Sequence, residues 1–201
     1  MPEPPRVGLF TRYVLENPYP VGVLLVALAA GFAWTALRSD RPRRLRTAGI
    51  LGVVGAAVLL TGTLVATAGE HARRVTLAVV EAAVAADVSG AAALFADDAR
   101  LSFGSPTNPG LPRGDIEARI DQLDGKYRVQ SNQVTMLRAY TETSDRATVH
   151  LACYTTLERG FGPAPTQWVL RVERQDDGTW KIAHVTWISY AGRSPGSNMG
   201  L

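Results

Sequence analysis

A chain of 201 residues has room for one compact domain and short additions, but little room for two fully enclosed central helices. Its net charge of +3 comes from 21 Lys and Arg against 18 Asp and Glu, and from His71 to the end the two signs balance at fourteen each. The surplus therefore belongs to the N-terminal third, and without a basic run interleaved with aromatics nucleic acid is not an expected partner; the single Cys153 excludes an internal disulfide and cannot alone make a zinc site.

After an N-terminal tail (1–18) come two apolar stretches, Val21 to Leu37 and Ala48 to Ala68, neither of which contains an ionisable side chain. Each approaches the roughly 20 residues that cross hydrocarbon as a helix, so residues 19–69 read as two transmembrane helices, about 20–37 and 48–68. Tyr13, Tyr19 and Trp34 near the ends of the first suit the membrane interface. With no charge inside either span there is nothing to carry ions or protons, so the pair reads as an anchor. The connector carries Arg38, Arg41, Arg43, Arg44 and Arg46 against Asp40, whereas the flanks hold Arg6, Arg12, Arg73 and Arg74. That bias places the loop in the cytoplasm and the C-terminal domain outside it. Gly52 with Ala56 and Gly62 with Ala66 give small-xxx-small spacings for close helix packing.

Residues 70–190 read as one α+β domain. His71 to Ala86 forms a helix; a short helix starts at Ser89 as N-cap, and Asp97 and Asp98 close it before a short extended segment, Ala99 to Phe103. Gly104 to Gly114 is a Pro- and Gly-rich loop. In the third helix Ile116, Ile120 and Leu123 share a face. Thereafter the period becomes two: Tyr127–Tyr140, Arg146–Glu158, Gln167–Arg174 and Thr179–Tyr190 are four strands, with turns at Thr143–Asp145 and Gln175–Gly178. The result is a cone of three helices packed on a curved antiparallel sheet, hollow where the helices leave it unfilled. The tail, 191–201, has no periodic apolar content.

The order of these elements, the segment LeuPheAlaAspAspAla (Leu94–Ala99) and the ending AspAspGlyThrTrpLysIleAlaHis (Asp176–His184) resemble the nuclear transport factor 2-like superfamily, which includes ketosteroid isomerases and SnoaL-like cyclases. The resemblance implies the cone fold and leaves activity open, since one fold serves many functions.

Isomerase chemistry needs a carboxylate base and enolate-binding donors. Asp87, Asp97 and Asp98 are the candidate bases and Tyr127, Tyr140 and Tyr154 the candidate donors, although capping and exposure account for the aspartates. Dehydratase chemistry could use His150 or His184, the weak catalytic candidates. Tyr154, Trp168 and Trp180 are candidate pocket walls, with Trp187 a packing residue; Cys153, within an alternating strand, is a buried small apolar residue. In the last strand Trp180, Ile182, His184, Thr186 and Ile188 share one face by alternation. No metal-ligand spacing, glycine-rich phosphate loop or nucleophile elbow occurs, so neither metal nor cofactor is expected. The leading expectation is a membrane-anchored domain that binds a small apolar ligand or another protein; the alternatives are an isomerase, dehydratase or cyclase, and a module that self-associates through its sheet.

Overall fold

The computed structural model describes residues 2–3, 5, 19–39, 42–64, 66–122, 125, 128–158 and 162–195. These residues form two compact units, one within Arg6–Thr67 and the other made of the residues from Ala68 onward together with the described ones among the first five.

The first unit is a pair of helices, α1 (Tyr19–Ser39) and α2 (Pro42–Leu64). Cβ atoms built on the glycines show how closely they approach. On Gly22 such an atom would strike Leu59; on Gly55 it would lie 3.1 Å from Leu25 and Val26, and on Gly52 3.8 Å from Ala29. Early residues of α1 thus meet late residues of α2, so the pair is an antiparallel hairpin. Its seam repeats every seven residues on α1 (Gly22, Ala29, Ala36) and at alternating steps of four and three on α2 (Ala48, Gly52, Gly55, Leu59), the spacing that keeps two helices in contact. Gly52 is in the seam but Ala56 is exposed, because Gly55 occupies the seam one turn on. Ala66 lies beyond the helix end, so Gly62 and Ala66 do not make a helical pair. Tyr13 lies outside the described residues.

Small residues fill most of the seam, with Leu59 and Leu25 against its glycines, and many large ones stay outside: Leu24, Leu28, Phe32, Ile50, Val53 and Leu60 are all exposed. Helix α1 from Tyr19 to Arg38 has a mean hydropathy of 2.0 and is long and apolar enough to cross a membrane. Only this helix meets that standard among the described residues. Helix α2 ends at Leu64, short of the expected span end at Ala68: Ala66 and Thr67 are not helical and Ala68 begins the next helix.

The second unit begins with α3 (Ala68–Ala85), whose start is tied down where the Gly69 N–H donates to Thr141 Oγ1 at 3.0 Å. Ala86, at φ 53°, turns the chain left-handed, and the Asp87 N–H closes back on the Ala82 carbonyl at 2.9 Å, a helix stop of the Schellman type. Asp87, not Ser89, then caps α4 (Val88–Ala93): its side chain accepts from the Gly90 N–H, and the Ser89 hydroxyl donates to it. Next come β1 (Phe95–Phe103), β2 (Leu111–Pro112), α5 (Arg113–Asp121), β3 (Val129–Thr141), β4 (Arg146–Leu157), β5 (Ala164–Arg174) and β6 (Trp180–Tyr190). Asp97 and Asp98 do not close a helix. They stand on β1, where its pairing with β6 jumps from Phe95–Ile182 to Arg100–His184 and the extra residues bulge outward.

The six strands run β2-β1-β6-β5-β4-β3. Contrary to the sequence expectation the sheet is mixed: β1 pairs parallel with β6, and the remaining pairs are antiparallel. Three successive hairpins carry the chain from β3 to β6, and the last strand arrives running in the direction of β1. Bulges in the β3–β4 and β5–β6 ladders bend the sheet around α3 and α5. Val149, Val172 and Ile182 are fully buried on the concave side, each worth about 1.5–3 kcal/mol of burial.

Candidate functional site

Within the bend of the sheet lies a cavity of about 240 Å³. Helix α3 contributes Val79, Val80 and Ala83, α5 contributes Arg119, and the strands contribute mainly apolar side chains, among them Leu151, Cys153, Trp168 and Trp187. Trp168 and Trp187 stack with ring centroids 5.1 Å apart and planes within 7°, and Tyr190 meets Trp187 edge-on at 5.9 Å. They form one aromatic wall.

The polar groups of the lining are few. Thr155 Oγ1 donates to Asn132 Oδ1 at 3.1 Å, and Thr166 Oγ1 donates to the Cys153 carbonyl at 3.4 Å. Arg119 is the one charged residue in the described lining, which contains no Asp, Glu, Lys or His. Its guanidinium carbon lies 5.5 Å from the Phe103 ring centroid. Burial pushes the Cys153 thiol up to about 11, so at neutral pH it is protonated and reacts only slowly, through a small thiolate fraction.

Of the expected pocket walls, Trp168 lines the cavity while Tyr154 and Trp180 do not. Tyr154 stands exposed on the convex side, and Trp180 stacks on His71 at 5.0 Å. Both remaining histidines also point away from the hollow. His150 is buried on the convex side with Tyr140 edge-on at 5.2 Å. His184 Nε2 meets Ser102 Oγ at 2.9 Å, and Ser102 Oγ also lies 2.9 Å from the Asn108 carbonyl. A hydroxyl has one hydrogen; with that hydrogen on Asn108, His184 presents Nε2–H to Ser102 and cannot serve as its base. Alternation had placed His184 beside Ile182. A bulge at Ala183 pairs Ile182 with Val172 and His184 with Arg171, so Ile182, Val185 and Trp187 enter the core while His184 turns outward.

The candidate bases are likewise elsewhere. Asp87 is a cap, its carboxyl held below the ordinary range by the Gly90 N–H and Ser89 hydroxyl. Asp97 pairs with Arg113, which also binds Glu117 at 2.7 Å, and Asp98 is exposed. Tyr127 lies outside the described residues. Sequence reasoning passed over Arg119 and Asn132; Trp187, expected to serve packing first and a pocket wall second, does both. The signal for Arg119 was present, since it stands three residues after Ile116 and one before Ile120, on the edge of their buried face.

The histidines have a consequence for stability. Burial lowers the pKa of His150, with Arg138 adding to the effect; burial followed by Arg171 and Arg100 lowers that of His184, and His71 shifts the same way. A depressed histidine binds its proton more readily in the unfolded chain, so it favours unfolding as pH falls through the ordinary value of 6.5. The domain should therefore melt progressively lower between pH 7 and 5, before the capping aspartates titrate. Replacing His150 and His184 together with Gln should flatten that slope; an unchanged slope in thermal melts would refute the assignment.

The described lining of the hollow is largely apolar and contains no Asp, Glu, Lys or His. The unit from Ala68 onward has the nuclear transport factor 2-like fold. It is similar to a nuclear transport factor 2-like protein of unknown function from Pseudomonas putida, at 17% identity and TM-score 0.50 over 60% of this chain and 84% of that one. Other similar structures include a candidate scytalone dehydratase from Novosphingobium aromaticivorans (15% identity, TM-score 0.48, 63% of this chain and 83% of that one). A candidate ketosteroid isomerase from Shewanella frigidimarina is a third (20% identity, TM-score 0.48, 60% and 94%). No family model and no curated protein matches the chain.

Proposed function

We propose that this chain is a membrane-anchored small-ligand-binding protein, in which the α1–α2 hairpin crosses the bilayer twice and the cone takes an apolar molecule into its cavity. The observation that carries the binding half is the composition of the lining: a large aromatic and aliphatic surface, two tryptophans in one wall, and no described group suited to abstract a proton from carbon. Isomerase or dehydratase chemistry would need such a group in the hollow, and His150, His184, Asp87, Asp97 and Asp98 are all outside it.

Support for the anchor comes from the hairpin, whose seam is built of small residues while its bulky side chains project outward, the reverse of a water-soluble pair. The arginines between the helices favour a cytoplasmic connector and an extracytoplasmic cone. Protease added to intact cells should then digest the cone while an intracellular control survives; survival of both would reverse the topology.

Filling the hollow tests the binding half. Native mass spectrometry of the full chain released from nanodiscs should detect an apolar adduct that is lost when Ala83→Trp occupies the cavity. Equal adducts on the two proteins, or none on either, would refute it.

A further inference from the structure

The electrostatics of the lining narrow the ligand class. An apolar cavity of about 240 Å³ far exceeds the roughly 10–15 Å³ that admits one water, and its walls offer water few partners. At its margin stands a single cation, Arg119, with no described carboxylate within ion-pair distance; the described ion pairs engage Arg113, Arg146 and Arg171 instead. Asn132 has its carbonyl oxygen occupied by Thr155, which leaves its amide hydrogens as donors with no partner among the described residues. The polar face of the cavity therefore offers hydrogen-bond donors and one positive charge against an uncharged wall. A cationic ligand would be repelled. A neutral one would return at most an ordinary hydrogen bond for the water it strips from the guanidinium, whereas an anion would replace that water with a stronger, doubly charge-assisted one.

We infer that the cavity receives a single-chain anionic amphiphile, its apolar tail against Trp168 and Trp187 and its carboxylate or phosphate on Arg119. The inference rests on the ligand-binding reading above and adds the head group to it.

Cys153 supplies the readout, because it lines the cavity and is the only cysteine in the chain. The full-length protein in phosphatidylcholine nanodiscs is treated with N-ethylmaleimide at about pH 8, where the thiolate fraction is larger than at neutral pH, and the slow labelling of Cys153 is followed with decanoate, decanol or decyltrimethylammonium present. The three probes share a tail and differ in the head. Decanoate should slow labelling at a concentration about tenfold lower than either of the others, as expected for a hydrogen bond to a charged group. Arg119→Gln should abolish that preference and leave protection by decanol unchanged, which also shows that the variant is folded; Arg119→Lys should retain most of it.

Equal potency of the three probes, or a preference that survives Arg119→Gln, would overturn the head-group assignment and leave the binding reading standing. Failure of all three to slow labelling would instead overturn the binding reading on which the assignment depends. Nanodiscs doped with lysophosphatidylglycerol, a single-chain anionic lipid, separate the sources. Protection without added decanoate, lost in Arg119→Gln, identifies a bilayer lipid as the anion; protection by added decanoate alone identifies a free acid. Either source supports the assignment.

Discussion

Arginine placed at both Leu28 and Val53 should release the full-length chain from membranes. Leu28 sits near the middle of α1 and Val53 near the middle of the uncharged part of α2, and both are exposed, away from the seam where Gly22, Ala29, Gly52 and Gly55 bring the helices together. An arginine at the centre of a spanning helix costs about 3 kcal/mol on the insertion scale, so the pair of substitutions costs about 6 kcal/mol. Interhelical contacts are untouched. A hairpin exposed to water would accept these substitutions without loss, because they would only replace exposed apolar surface with charge. Flotation on a density gradient separates the two cases: wild type should rise with lipid and Leu28→Arg/Val53→Arg should stay at the bottom. Co-flotation of the double variant with wild type would sink the two-span anchor.

Trp187→Ala should be the most damaging single truncation in the cone, at about 3–5 kcal/mol. The side chain is 3% exposed and touches Trp168, Tyr190 and Phe103, whose ring lies 6.2 Å away at a tilt. Its indole N–H donates to the Ser189 carbonyl at 3.1 Å, so truncation also leaves that acceptor unpaired. The loss cannot be healed by local collapse, because the new space opens into a cavity already present. Trp180→Ala should cost distinctly less, since Trp180 is half-buried and its main ring contact is one stack on His71. Denaturant midpoints of the full chain, followed by near-ultraviolet circular dichroism, measure both. A Trp180→Ala loss equal to that of Trp187→Ala would contradict this account of the wall.

These two expectations differ in how far they could be seen in the sequence. Leu28 and Val53 lie in stretches whose lack of charge is legible residue by residue, and a helix of such residues follows from composition alone. The roles of Trp187 and Trp180 were not legible. Alternation placed them on opposite faces of β6, but nothing local said which face is concave.

The sequence by itself determined the features that act over a few residues. The apolar helices, the strands β3 to β6, the turn at Gln175–Gly178 and the buried face of Ile116 and Ile120 all follow from side-chain periodicity and from backbone preferences such as the left-handed Gly178. Tertiary structure decided the rest. Parallel pairing of β1 with β6 joins residues some 80 apart, and the bulge at Ala183, which turns His184 out and Val185 and Trp187 in, exists only because β5 and β6 must bend together around α3 and α5. One extra residue in one strand reverses every side chain beyond it. That reversal, rather than any motif, turned Trp187 into the aromatic wall of the cavity and left His184 behind the sheet.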